Sequence, residues 1–176
     1  MNALPNVAPY PAAVKFFEAA QILERQEGDF LEVIVMQYAF AAELCFKCFS
    51  IEKSPVPKVS EDADQLLEDV RVSEDVDKLL EDVRVSIPKS GRGHNLKVLF
   101  ADKLQASVQE KLSKFFYEET GADLRRLTET CANCFEDSRY WFERCGVLPI
   151  DDVRTLARGL IRCVARHADE IGEATR

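Results

Sequence analysis

The chain holds two histidines, and each stands where an imidazole could do chemistry. His94 lies in SGRGHNLKVLF, Ser90 to Phe100, behind two glycines and an arginine at the mouth of an apolar run. Gly91 and Gly93 permit an unusual backbone there, and the amides of a following helix start favour a neutral imidazole or a hydrogen-bonded anion. Two roles are open to His94: a cap that fastens the short helix, or a member of a polar network. His167 closes RCVARH, Arg162 to His167, which fits the pattern R-x4-H. In an endoribonuclease such a pair would assist attack by the RNA 2′-hydroxyl, the arginine stabilising the developing phosphorane charge and the histidine moving protons. On an unbroken helix, positions five apart diverge by about 140°. His167 also falls on an apolar seam between Val164 and Ile171, where a half-buried imidazole with one hydrogen bond is the commoner outcome.

Charged side chains are laid out in ladders. Glu43 and Lys47 stand at i, i+4, and FEDSRYWFER, Phe135 to Arg144, repeats the spacing with Arg139 and Glu143 and with Glu136 and Tyr140. Exposed pairs of this kind are worth only about 0.2–0.5 kcal/mol each. Both ladders flank strongly apolar faces, so a shared, partly buried network is an equal expectation. In a helical bundle His94 would approach Glu43 and Lys47 on one side and Arg139 on the other. The candidate cluster is therefore Glu43, Lys47, His94, Arg139, Tyr140 and Glu143, suited to holding the bundle or a small anionic group.

Six cysteines complete the reactive inventory. CFKC (Cys45 and Cys48) and CANC (Cys131 and Cys134) supply the four thiols of a tetrahedral zinc site. Both pairs fall on apolar seams within helical patterns, whereas structural zinc pairs sit in tight turns, so the expectation is core-filling thiols, with no metal and no cofactor.

These residues need helices to position them. Pro5, Pro9 and Pro11 make residues 1–11 an extended leader, and Pro11 opens a first helix to about Arg25, with Phe16, Ala20 and Leu23 at helical spacing. A second helix is expected at about 29–52, with Glu32, Glu43, Lys47 and Ser50 on one stripe and Ile34, Tyr38, Ala41, Cys45 and Cys48 opposite. Further helices are expected at about 95–101, 105–118, 122–145 and 151–171, the last capped by Asp151 and seamed by Val153, Leu156, Leu160, Val164, His167 and Ile171. No convincing strand remains. The expected class is all-α, an antiparallel up-and-down bundle of four to five main helices, in a single domain over 12–176.

An acidic excursion at 53–93 interrupts that domain. VSEDADQLLEDVR at 59–71 returns as VSEDVDKLLEDVR at 72–84, a tandem repeat of thirteen residues with two differences. Thirteen helical residues turn through about 1300°, so one continuous helix could not bury both Leu-Leu pairs; two short helices capped by Ser60 and Ser73, or short strands at the VRVS segments, fit better. The net charge of −8 is concentrated here: Val59 to Ser86 carries ten acidic and three basic residues, leaving 21 acidic and 20 basic elsewhere. A bulk pI of 4.9 thus describes mainly this segment and does not exclude an anionic partner for the body. FLEVIVMQYAFAAELCFKCFSI is broken by Glu32, Gln37, Glu43 and Lys47, which argues for a buried helix and against a membrane span. The opening MNALPNVAPYPAAV lacks a basic stretch followed by an apolar one, so a reducing cytoplasm is expected.

The succession AAELCFKCF, GHNLKVLFADKL, VQEKL and FEDSRYWFE resembles the HEPN (higher eukaryotes and prokaryotes nucleotide-binding) superfamily over roughly residues 12–145. The resemblance is to a bacterial branch with an E-x3-K helix, a Gly-His-x-Leu helix start and a terminal Arg-Tyr-x-x-Glu. It implies an all-α bundle, commonly a homodimer, acting as an interaction module or partner of a nucleotidyltransferase-like protein in toxin or defence systems, or else as a metal-independent ribonuclease acting on RNA. Nuclease members place a polar residue directly after the arginine of R-x4-6-H, whereas Arg162 is followed by Cys163. The resemblance therefore supports the fold more than the cleavage chemistry, and whether the chain is an enzyme stays open.

Overall fold

A computed structural model of the chain describes residues 7–50, 94–140 and 147–173. By its contacts the chain divides into a unit formed by Met1–Ile51 with Arg92–Arg176 and a second unit, Glu52–Gly91. The expectations for the repeat, for the leader before Val7 and for Glu143 lie outside the described residues. Within the first unit the described architecture is an all-α helical bundle: α1 (Tyr10–Leu23), α2 (Leu31–Lys47), α3 (Leu96–Val98), which continues as a π-helical turn at Leu99–Lys103, α4 (Ala106–Thr120), α5 (Leu124–Thr130), α6 (Cys134–Arg139) and α7 (Ile150–Gly172).

Helix α2 is the centre. It packs against α1, α6 and α7, and α7 in turn lies against α4. Ile34, Val35, Tyr38, Ala39, Ala41, Ala42, Glu43, Cys45 and Phe46 are all buried, while Val33 is exposed and Glu32, Met36, Phe40 and Lys47 are half-buried along one face. Within the expected stripe Glu32, Lys47 and Ser50 are half-buried, and Glu43 is fully buried, as fully as Cys45 opposite. Helix α7 carries its apolar seam as expected, with Val153, Leu156, Leu160, Val164 and Ile171 buried. Asp151 does not cap it. The helix begins at Ile150 behind Pro149, and Asp151 instead accepts a hydrogen bond from Arg154 Nη1 at 2.9 Å.

One polar tie joins three helices. Glu24, at the end of α1, receives Arg154 Nε of α7 at 2.7 Å and the Tyr38 hydroxyl of α2 at 2.9 Å. Burial, with the Glu24 carboxylate beside it, pushes the Tyr38 phenol up to about 12.

The expected single helix over 122–145 is broken. Residues 131–133 form a turn between α5 and α6, and the broken backbone is used: Leu96 N donates to Ala132 O at 3.0 Å, and Asn95 Nδ2 donates to Asn133 Oδ1 at 2.7 Å. The interruption thus supplies the acceptors that receive the start of α3.

Candidate functional site

The buried Glu43 carboxylate is the hub of the site. It sits on the central helix α2 with only 1% of its side chain exposed, and both oxygens face cationic or ionisable groups. Lys47, one turn on, brings Nζ to 2.8 Å from Oε1. That contact lacks hydrogen-bond directionality, since Oε1 has no hydrogen-bond partner, so it is an ion pair and nothing more directed. On the other oxygen, His94 Nδ1 lies 2.8 Å from Oε2 across 51 residues of chain. The imidazole is stacked on Phe135 of α6 with centroids 4.2 Å apart and planes 24° apart. Arg139, one turn further along α6, places its guanidinium 6.0 Å from the same ring and 5.7 Å from the Tyr140 ring.

Of the six candidates, Glu43, Lys47 and His94 are therefore in direct contact. Arg139 reaches the group through Phe135, and the Tyr140 ring lies beside Arg139. The cap role open to His94 belongs to its neighbour: Asn95 stands at the N-cap in extended conformation, and its Oδ1 accepts from Val98 N at 2.9 Å. An asparagine directly before LKV is a recognisable helix start, and that signal could have assigned the cap from sequence. Phe135 was missed as a site residue because an apolar residue in a charged ladder carries no chemical signal of its own.

Arg162 and His167 belong to a second cluster between α7 and α4. Arg162 is exposed. The His167 ring lies flat on Phe115, with centroids 4.1 Å apart and planes 4° apart. Its Nε2 is 3.7 Å from Glu119 Oε1 and its Nδ1 is 3.6 Å from Glu170 Oε1; Nδ1 is buried without a hydrogen-bond partner. Glu119 accepts a hydrogen bond from Arg166 Nη1 at 2.8 Å, and that bond holds its carboxyl below the usual range, assisted by Arg162 and His167 nearby. The two halves of the R-x4-H motif thus share the field of one glutamate, but the imidazole is held in a packed seam.

The cysteine pairs lie in different surroundings. Cys45 has Cys48 and Cys163 as its thiol neighbours, whereas Cys131 has Cys134. Contrary to expectation, Cys131 and Cys134 flank the break and are not within one helix. Burial pushes the Cys48 thiol up to about 11 and Cys163 to about 12, and Cys45 is raised well above the ordinary value for the same reason. The neighbouring Cys134 and burial together raise Cys131. These shifts oppose the thiolate that a metal would bind. Among the described residues no three His, Cys, Asp or Glu side chains are grouped to hold a metal ion, and no helix is long and apolar enough to cross a membrane.

A groove of about 670 Å³ runs along α4 and the start of α5, lined by Gln109, Lys114, Tyr117, Asp123 and Arg125 among others, and contains none of the sequence candidates. Compared with protein-family models, curated proteins and solved structures, the chain matches none.

Proposed function

We propose that the chain is a HEPN-like helical interaction module of a bacterial toxin or defence system, working in the cytoplasm as a homodimer or beside a nucleotidyltransferase-like partner. The observation that carries this reading is the Glu43–His94 contact at 2.8 Å. It clamps the chain returning at residue 94 onto the central helix, at the E-x3-K and Gly-His-x-Leu motifs through which the sequence resembles that superfamily. Lys47 and Arg139 stand beside it as cations for a small anionic group. The ribonuclease alternative is less well supported, because His167 is packed flat on Phe115 and a general base needs room for its substrate.

Melting curves and a cleavage assay separate the two. Replacing His94 by alanine strands the buried carboxylate and is expected to cost about 1–3 kcal/mol, with His94→Gln recovering part of it. The wild type is expected to leave RNA intact. RNA cleavage abolished by His167→Ala or Arg162→Ala, together with a wild-type melt for His94→Ala, would put the enzyme in place of the module.

A further inference from the structure

The two histidines have opposite settings. His167 has both ring nitrogens near carboxylates and only 21% of its side chain exposed. His94 has one nitrogen held and the other open. Nδ1 is fixed on the buried Glu43 carboxylate, the ring is pinned on Phe135, 41% of the side chain reaches solvent, and Nε2 has no partner among the described residues. A carboxylate on Nδ1 selects the tautomer with its proton there, which leaves the lone pair on Nε2. Lys47, 42% exposed, adds a cation on the same carboxylate, and the Arg139 guanidinium lies 6.0 Å from the Phe135 ring on which the imidazole is stacked. Such surroundings favour an electrophile that carries negative charge.

We propose that His94 Nε2 is a phosphoryl-acceptor site, modified by small donors with a reactive phosphoryl group such as an acyl phosphate or a phosphoramidate. The Nε2 lone pair attacks phosphorus, the Nε2–P bond forms, and the bond from phosphorus to the leaving group breaks with its electron pair, releasing carboxylate from an acyl phosphate, or ammonia from a phosphoramidate whose nitrogen already carries the needed proton at neutral pH. The proton on Nδ1 stays, the ring becomes a phosphoimidazolium, and Glu43 balances its positive charge. This rests on the Glu43–His94 contact used above and adds a reaction to it.

The test incubates the full chain with potassium phosphoramidate at neutral pH and follows intact mass and fragmentation. The expected product carries one acid-labile phosphoryl group per chain, at His94. His94→Asn is expected to lose the label and His167→Asn to keep it, while Glu43→Gln labels about tenfold more slowly, the usual scale for losing a group that orients an imidazole. Because Glu43→Gln can also unfold, wild type in urea supplies a second reference: folded His94 is expected to label about tenfold faster than the same residue unfolded. Labelling of His94 no faster than in urea, or equal labelling of His167 in the folded chain, overturns the proposal. The module reading is judged separately, by the melting of His94→Gln and by the RNA assay, neither of which depends on labelling.

Discussion

A carboxylate taken out of water must be compensated by partners, and the two ion-pair clusters do this to different degrees. Glu43 is enclosed in the core, whereas Glu119 keeps 11% of its side chain exposed at the α4–α7 seam. The hydrogen bond from Arg166 favours the ionised Glu119 and lowers its pKa, so this group stabilises the fold above the ordinary glutamate value of about 4.3, and the contribution is lost as pH falls through the lowered folded value. Glu119→Gln is therefore expected to lower the melting temperature at pH 7, with the gap to wild type closing below about pH 4. A gap independent of pH would show that the glutamate acts there by shape alone. At this scale the sequence was legible in part. Glu43 and Lys47 announce themselves by i, i+4 spacing, and His94 by its isolation after two glycines. Their meeting depends on a sequence separation of 51, and neither Phe135 nor Phe115 bears any mark of the imidazole that lies on it.

Helices α2, α4 and α7 were legible because their periodicity is long and uninterrupted, and their boundaries fell within a few residues of those expected except at the C-terminal end of α2, which closes at Lys47. The break at 131–133 was not, since its cause is tertiary: Ala132 O and Asn133 Oδ1 leave the helical pattern to receive Leu96 N and Asn95 Nδ2. Close approach of α4 and α7 depends on another residue that periodicity does not explain, Gly159. A Cβ there would stand 2.6 Å from Thr120 Cγ2 and closer still to the Phe116 ring, which is fully buried. Alanine would gain about 1 kcal/mol of helix propensity in isolation. The overlap is larger, because a buried ring has nowhere to move and forced overpacking costs about 1–3 kcal/mol or more. Gly159→Ala is accordingly expected to lower the melting temperature, and Gly159→Ala with Phe116→Leu to recover part of the loss. A melting temperature raised by Gly159→Ala alone would mean that the helices part easily at this point.

Over the whole molecule, charge is divided unevenly along the chain. Among the described residues, the buried core lies between 13 and 49 and between 96 and 171. The polar ties that join its helices, Glu24 with Arg154 and Tyr38, Glu43 with His94, and Glu119 with Arg166, also lie within those spans. Residues 59–84 contribute ten acidic and three basic side chains, most of the net −8. Removing them takes away self-repulsion and lengthens no loop, and a shorter connection between residues 50 and 94 carries a smaller closure entropy. A chain lacking 59–84 is therefore expected to keep a cooperative melt and the helical circular dichroism of the body, while its isoelectric point rises towards neutrality. Loss of cooperativity would show that the repeat is packed into the core. A cooperative melt at lower temperature, restored by adding the 59–84 peptide in trans, would show that it binds the body from outside.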